Sequence, residues 1–279
     1  MAGINPRTMS KFLRSVILLG ALCCVIPGLS AAVYLDTLPD GSINTGAFSN
    51  FTVLTSGDLS DTNNTFTGPS RVDGNIGIGR NGNFSMSDGT INGDIYMNSA
   101  GKFTKSGPAQ HNGTVFYSQD AVLNAALNDA RSLSMAAASD PGGGTYTTTQ
   151  GTFNGSTVNS GQSITLSGTG KVVLNLQDFV MTGGTFTLNG TAMTTFIINV
   201  NRNFSLNNSS VVLSGGLMAS HVLFNVKGTG NQVSLNQGTS LSGILLATSR
   251  KISLSGGKVY GKVIAEQIAI TSGGQVISQ

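Results

Sequence analysis

Histidine occurs at two positions only, His111 and His221, and neither has another His or a Cys at a spacing that closes a metal site. Both read as satisfied or surface residues. Gly77-Ile78-Gly79-Arg80-Asn81-Gly82 meets the G-x-G-x-x-G spacing, which cradles a pyrophosphate only where a helix begins at its end. Phe84-Ser85-Met86-Ser87 follows and is no helix start, so the segment is expected to be a turn. Carboxylate catalysis, as in β-helical enzymes that cleave polysaccharides, needs clustered acids, yet after Pro141 only Asp178 and Glu266 remain. Asp73 and Asp94 sit at equivalent places in successive repeats and fit turn capping better than a cation site. No serine stands in a nucleophile elbow. Asn50-Phe51-Thr52, Asn83-Phe84-Ser85 and Asn203-Phe204-Ser205 match the N-glycosylation pattern, as chance allows in so Asn-rich a chain. The expectation is a non-enzyme with no catalytic residue, metal or cofactor.

The composition points the same way. Of 279 residues, 10% are charged, against about 25% for an average soluble domain. Glycine takes 38 positions and Trp none, while Ser, Thr and Asn supply the polar surface. This excludes coiled coils, helical bundles and basic nucleic-acid-binding domains, and the recurring Val/Ile/Leu/Phe clusters argue against disorder. The formal charge of +3 comes from Arg7, Lys11 and Arg14; beyond residue 32 there are 12 basic and 12 acidic residues, a net of zero. Residues 33–140 carry 5 basic against 10 acidic groups and residues 141–279 carry 7 against 2, a weak dipole.

Those three basic residues precede an apolar run, Val16 to Ile26, and then Leu29-Ser30-Ala31-Ala32 places small residues for a cut after Ala32. Residues 1–32 are therefore expected to be a secretory signal peptide, the protein secreted or at the cell surface, with no membrane insertion after its removal. Cys23 and Cys24 fall inside this leader, and Leu22 before Cys23 argues against lipidation. The mature chain has no cysteine, so packing and backbone pairing must stabilise it.

The elements that must position any site are repeats. Val72-Asp73-Gly74-Asn75-Ile76 returns as Ile91-Asn92-Gly93-Asp94-Ile95 and His111-Asn112-Gly113-Thr114-Val115, and late in the chain Leu241-Ser242-Gly243-Ile244-Leu245 returns as Val259-Tyr260-Gly261-Lys262-Val263. The step between motif glycines is nearly constant, at 18 to 20 residues, enough for one coil of a solenoid. Thr182-Gly183-Gly184, Ser214-Gly215-Gly216, Ser255-Gly256-Gly257 and Ser272-Gly273-Gly274 read as corners. Alternation in Lys251-Ile252-Ser253-Leu254-Ser255 sends Ile and Leu inward, Lys and Ser outward. One coil per repeat gives a mainly β fold, a parallel β-solenoid with strands about 4.8 Å apart. A Gly-rich sandwich is the alternative, and the fixed Gly spacing argues against it. One helix is expected over 119–138, with Leu123, Leu127, Ala130, Leu133 and Ala137 on one stripe and Ser118 or Asp120 as cap. The domain reading is a lead-in over 33–45 and one solenoid domain over 46–279, the helix along its side.

Asp73-Gly74-Asn75-Ile76-Gly77 early, one helix, and Leu241-Ser242-Gly243-Ile244-Leu245-Leu246-Ala247 late resemble two secreted groups, the ice-binding-like discontinuous β-solenoids and the bacterial choice-of-anchor A adhesin-like proteins. Phe51-Thr52-Val53-Leu54-Thr55-Ser56-Gly57-Asp58-Leu59 is similar to an opening strand of the second group, and His221-Val222-Leu223-Phe224-Asn225-Val226 to a strand of both. The resemblance spans about residues 46–277. It implies a right-handed solenoid in which N-terminal and C-terminal coils interleave beside the helix. Choice-of-anchor A proteins often carry an anchoring tail, whereas this sequence ends at Gln279 after a coil, which implies release or a longer natural chain.

The functional expectation is an adhesin-like or matrix protein that holds a cell-surface, glycan or matrix ligand through an extended Ser/Thr/Asn-rich face. Ice binding is the first alternative and a polysaccharide-active enzyme the second. The candidate contact residues are Thr145, Thr147, Thr149, Thr185 and Thr187, with Lys258, Tyr260 and Lys262 interrupting the wall where Val259 and Val263 point inward.

Overall fold

The computed structural model describes residues 35–58, 63–149, 161 and 163–279, so the leader lies outside the described residues. Short parallel strands stack in three columns, here called faces A, B and C, and the chain visits them in turn. Face A runs in space through Lys171–Leu176, Thr195–Val200, Val222–Val226, residues 244–246, residues 263–265, Val53–Thr55, Ile76–Ile78, Ile95–Met97 and Val115–Phe116. Face B runs from Phe179–Thr182 to Phe103–Lys105 and face C from Ile164–Thr169 to Gln110–His111. Thr145–Thr148 closes one end of face C by pairing antiparallel with Ile164–Thr169.

The solenoid is discontinuous, but its two stacks abut and do not interleave. Residues 258–277 lie directly against Val53–Thr55, Asn63–Phe66 and Arg71–Asp73, so the last coil in sequence touches the first. The short repeat step holds where the Gly motif recurs, as in the pairing of Ile76 with Ile95 and of Leu241 with Val259. It lengthens between those regions, where Val172 pairs with Phe196 and Phe196 with Val222. The added residues sit in corners such as 190–194 and 215–221, which leave the strand pattern intact and blur its period.

A file of glycines explains the repeated motif. Gly93 lies beneath the carbonyl of Gly74, and a Cβ there would come 2.4 Å from that oxygen; Gly113 stands in the same relation to Gly93 at 2.2 Å. No side chain fits between coils at this corner. Three of the four hydroxyl-Gly-Gly corners turn the chain from face B to face C, while Ser214-Gly215-Gly216 turns it from C towards A.

Inside, Phe179, Phe204 and Phe224 pack with ring centroids 5.2–5.8 Å apart, and branched residues continue the core along the stack. The middle of face A is buried on both sides, as the unbroken burial of Thr195–Val200 and Val222–Val226 shows, while Asn175 and Phe116 at its two ends are exposed. Its outward residues Leu54, Ile197, Leu223, Leu246 and Ile264 meet α1, Asp120–Ser139, through Leu123, Ala126, Leu127, Ala130, Leu133 and Ala137. Twenty residues give a helix of about 30 Å, which matches about six coil steps of 4.8 Å. Gly77 and Gly79 leave room for the leucines: a Cβ on them would meet Leu123 and Leu127 at 2.9 and 2.8 Å. The G-x-G spacing is thus a helix seat, followed by a turn at Asn81 with φ +53° and then by strand Asn83–Met86.

The cap expectation is corrected. Gln119 occupies the N-cap position with no side-chain capping bond, Ser118 has φ +58°, and the Asp120 carboxylate instead accepts from the Ser99 amide at 3.0 Å. The C-terminal half of α1 is fastened by an asparagine ladder, Asn175–Asn199–Asn225, joined side chain to side chain at 3.0 and 2.8 Å. Asn199 and Asn225 also donate to the Ala137 and Ser134 carbonyls. Beside the helix, residues 35–51 complete the cover of face A. Leu35 N–H and Lys171 Nζ both donate to the buried Asp140 carboxylate, at 2.6 and 2.9 Å, and Thr195 Oγ1 donates to the Gly41 carbonyl. Burial alone would raise the Asp140 carboxyl, but the bonds from Lys171, Gly142 and Leu35 outweigh it and hold it below its ordinary value.

Candidate functional site

With face A covered, faces B and C are the surfaces open to a ligand. On face B the inward residues are mostly apolar, buried Asn64 being polar and accepting from the Ile268 amide through Oδ1, and the outward ones are mostly small. Register places Val180, Ser205, Ser234, Ser253, Ala269, Thr65, Ser85 and Thr104 in one straight file, one residue per coil. All are half-buried or exposed. Seven steps of about 4.8 Å make the file about 34 Å long. A second file, two residues further along each strand and so about 6.6 Å away, reads Thr182, Asn207, Asn236, Ser255 and Thr271. Neither file contains a charge. Lys251, Lys102 and Asp178 stand at the margin, where Asp178 is tied to Arg202 and to Asn203, and Lys105 ends the last strand of the face next to Thr104.

The sequence-expected residues gather on the other surface. Thr185 and Thr187 project from face C. Thr145 and Thr147 extend that face by facing Thr169 and Ser167, and Thr149 Oγ1 accepts from the Thr165 amide at 3.1 Å. A hollow of about 420 Å³ lies there, bordered by Thr145, Thr147, Ser167, Asn189 and Thr191. Lys258 and Tyr260 stand further along the same face, with Val259 fully buried between them. Lys262 is not part of the array. It follows Gly261 at the corner and its Nζ donates to the Ser49 and Phe51 carbonyls at 2.6 and 2.8 Å, which ties it to the segment covering face A. Burial pushes its ammonium pKa down.

Face C is less uniform than face B. Lys258, Gln275, Arg71, Thr90 and Gln110 form one file, and Tyr260, Ile277, Asp73 and Asn92 the next. Arg71 Nε reaches Asp73 at 2.8 Å, Asn92 Nδ2 reaches Asp73 at 2.7 Å, and Asn112 Nδ2 reaches Asn92 at 2.9 Å. Burial would raise the Asp73 carboxyl, but the bonds from Arg71 and Asn92 hold it below its ordinary value.

Several titratable groups elsewhere are bonded within the fold. Asp94 accepts from the Thr114 amide, as expected of a turn cap. Glu266 is buried against Ser56 Oγ, and Arg250 donates to the carbonyls of Asn201, Arg202, Lys227, Gly228 and Asn231. His111 lies 3.0 Å from the Gly93 carbonyl, and buried His221 accepts from the Met218 amide through Nδ1. Among the described residues no group of three or more His, Cys, Asp or Glu could hold a metal, and no helix is long and apolar enough to cross a membrane. The small file of face B escaped the sequence reading, because the outward serines were visible strand by strand and their alignment depends on register.

No curated protein matches this chain in sequence. In structure it is similar to an ice-binding protein from the Antarctic ascomycete Antarctomyces psychrotrophicus, with TM-score 0.54, 16% identity, and coverage of 84% of this chain and 96% of that one. It is also similar to a glycosylated ice-binding protein from an Arctic yeast, with TM-score 0.53, 15% identity, and coverage of 88% and 96%. At such identities the likeness establishes the β-solenoid fold with its flanking helix. The profile of the ice-binding-like adhesive domain family matches residues 44–277, which is nearly the whole solenoid, and the chain belongs to that family.

Proposed function

We propose that this protein is a secreted, non-catalytic binding domain whose working surface is face B and whose ligand is an extended ordered solid, ice. The observation that carries the reading is the uncharged file of small side chains from Val180 to Thr104, set on a rigid pairing register. Ser, Thr and Ala have few rotamers to lose on meeting a flat surface. Each contact is weak, and their sum grows with the number of coils engaged. The solved proteins that share the fold are ice-binding proteins, which agrees with this choice of ligand. A non-catalytic role accords with the bonded state of Asp73, Asp94, Asp140, Asp178 and Glu266.

Ice recrystallisation and crystal shaping by the exported protein test the proposal. Ser253 lies mid-file between Ser234 and Ala269, so Ser253→Tyr should abolish both effects while Lys258→Ala leaves them unchanged. A parent protein that leaves ice growth unaltered, or a tyrosine variant that shapes ice like the parent, would overturn the reading. Adhesion to a cell-surface or matrix ligand is the second reading, favoured by face C, where planar polar and charged groups replace the small file.

A further inference from the structure

We infer that the part of face C where the two stacks meet is a groove for a neutral glycan chain, a second binding site separate from face B. A hollow of about 440 Å³ opens there, bordered by Arg71, Asp88, Thr90, Gln110 and Gln275, with Pro69 and Pro108 in its walls. Its size falls within the range of about 300–1,000 Å³ usual for small-molecule sites. Four of these residues, Gln275, Arg71, Thr90 and Gln110, come from four successive coils in one file, so the hollow is elongated along the stack.

The chemistry beside the hollow suits sugar hydroxyls. Vicinal hydroxyl pairs are matched by planar groups that offer two polar atoms at a fixed separation, and here a guanidinium, a carboxylate and several amides stand in line. The Arg71–Asp73–Asn92–Asn112 ladder, which reaches the hollow through Arg71, fixes its own members through bonds of 2.7–2.9 Å. A ligand that spans the hollow and the ladder therefore meets an Arg71 that is already ordered, which lowers the entropic cost of binding. Both Asp73 Oδ atoms accept from Arg71 Nε, so this pairing uses one donor of the guanidinium fork. Tyr260 stands two coils before Asp73 in the same file, about 9.6 Å away. Its ring is a platform for the apolar face of a pyranose, and the intervening Ile277 continues that apolar step.

Charge selects the class of glycan. Arg71 is paired with Asp73, Asp88 borders the hollow, and Lys258 stands one coil beyond Gln275 in the same file, so these charges come as two of each sign. The net charge is zero, so a polyanion gains no long-range attraction and a neutral polymer loses none. The site does not depend on the ice reading: its residues point from a different face, and either activity can exist without the other.

Native gels cast with dextran, galactomannan, xyloglucan, laminarin or polygalacturonate test the inference on the exported protein. The expected result is retardation in at least one of the four neutral polymers, at low and high salt alike. Thr90→Tyr, which fills the hollow from an outward position, and Asn92→Ala, which breaks the ladder, should each weaken that retardation about tenfold or more, equivalent to about 1.4 kcal/mol. Ser253→Tyr should leave it unchanged. Thermal melts confirm that each variant is folded, and Thr90→Tyr decides the matter if Asn92→Ala is not. The inference is overturned by no retardation in any neutral polymer, by retardation confined to polygalacturonate and removed by salt, or by folded variants that bind like the parent.

Discussion

Replacing Asn199 by Ala tests how the helix is held. Asn199 and Asn225 are both fully buried. The Asn199 amide donates to the Ala137 carbonyl at 2.7 Å and to Asn175 Oδ1 at 3.0 Å, and its oxygen accepts from Asn225 Nδ2 at 2.8 Å. Ala137 is in the last turn of α1, where carbonyls have no intrahelical donor, so the side chain supplies a missing partner. Three bonds at a net of about 1 kcal/mol each give a loss of about 3 kcal/mol. For a domain of this size that corresponds to a fall of about 6–12 °C in Tm. Asn175→Ala is the control: its position is exposed, water replaces its bond to Asn199, and the cost should stay below about 1 kcal/mol. Urea and thermal denaturation of both variants measure the difference. If Asn199→Ala unfolds within about 1 kcal/mol of the parent, the ladder does not dock the helix and the apolar stripe alone must do so.

Two other outcomes follow from the charges and the leader. The Asp140 carboxyl is held below its ordinary value in the folded state, so the unfolded chain takes up a proton first as the pH falls. Its contribution is therefore complete above about pH 4, near the unfolded value, and is lost as the pH drops through the lower folded one. Urea midpoints measured from neutral pH to about pH 3 should decline less steeply for Asp140→Asn than for the parent, and equal slopes would remove this role. If residues 1–32 form a cleaved leader, the intact mass of the exported protein should correspond to a chain beginning at Val33, and a secreted form that retains Met1 would contradict the cut.

Periodicity revealed the parts of this molecule that obey local rules. The Ala/Leu stripe stands out against Gly-rich surroundings, and the expected helix over 119–138 differs by a single position at each end from Asp120–Ser139. The Gly74–Gly93–Gly113 file was legible because backbone crowding permits no other residue there. The longer coils over residues 172–222 were not, since corner insertions shift the period without changing the core. The asparagine ladder was hidden for a related reason: Asn175, Asn199 and Asn225 are far apart in a chain full of asparagine, and only register brings them together. Register also decides the candidate surfaces. It gathers Thr145, Thr185 and Lys258 on one face as outward residues, removes Lys262 to a corner, and assembles the face B file from serines and threonines that no motif connects.

The contact between the last coil and the first governs the order of assembly. Val53 pairs with Val263 and Arg71 with Gln275, each pair drawn from opposite ends of the solenoid sequence. Until residues 258–277 leave the ribosome, the strands Val53–Thr55, Asn63–Phe66 and Arg71–Asp73 present an unpaired edge, which invites pairing with other chains. Contacts of such high order close slowly, so the N-terminal stack must wait for the whole chain. A chain translocated unfolded and completed outside the cell would escape crowded cytoplasmic neighbours during that wait. The same topology confines variation in length to the two outer ends, where a coil can be added or lost without disturbing the central seam.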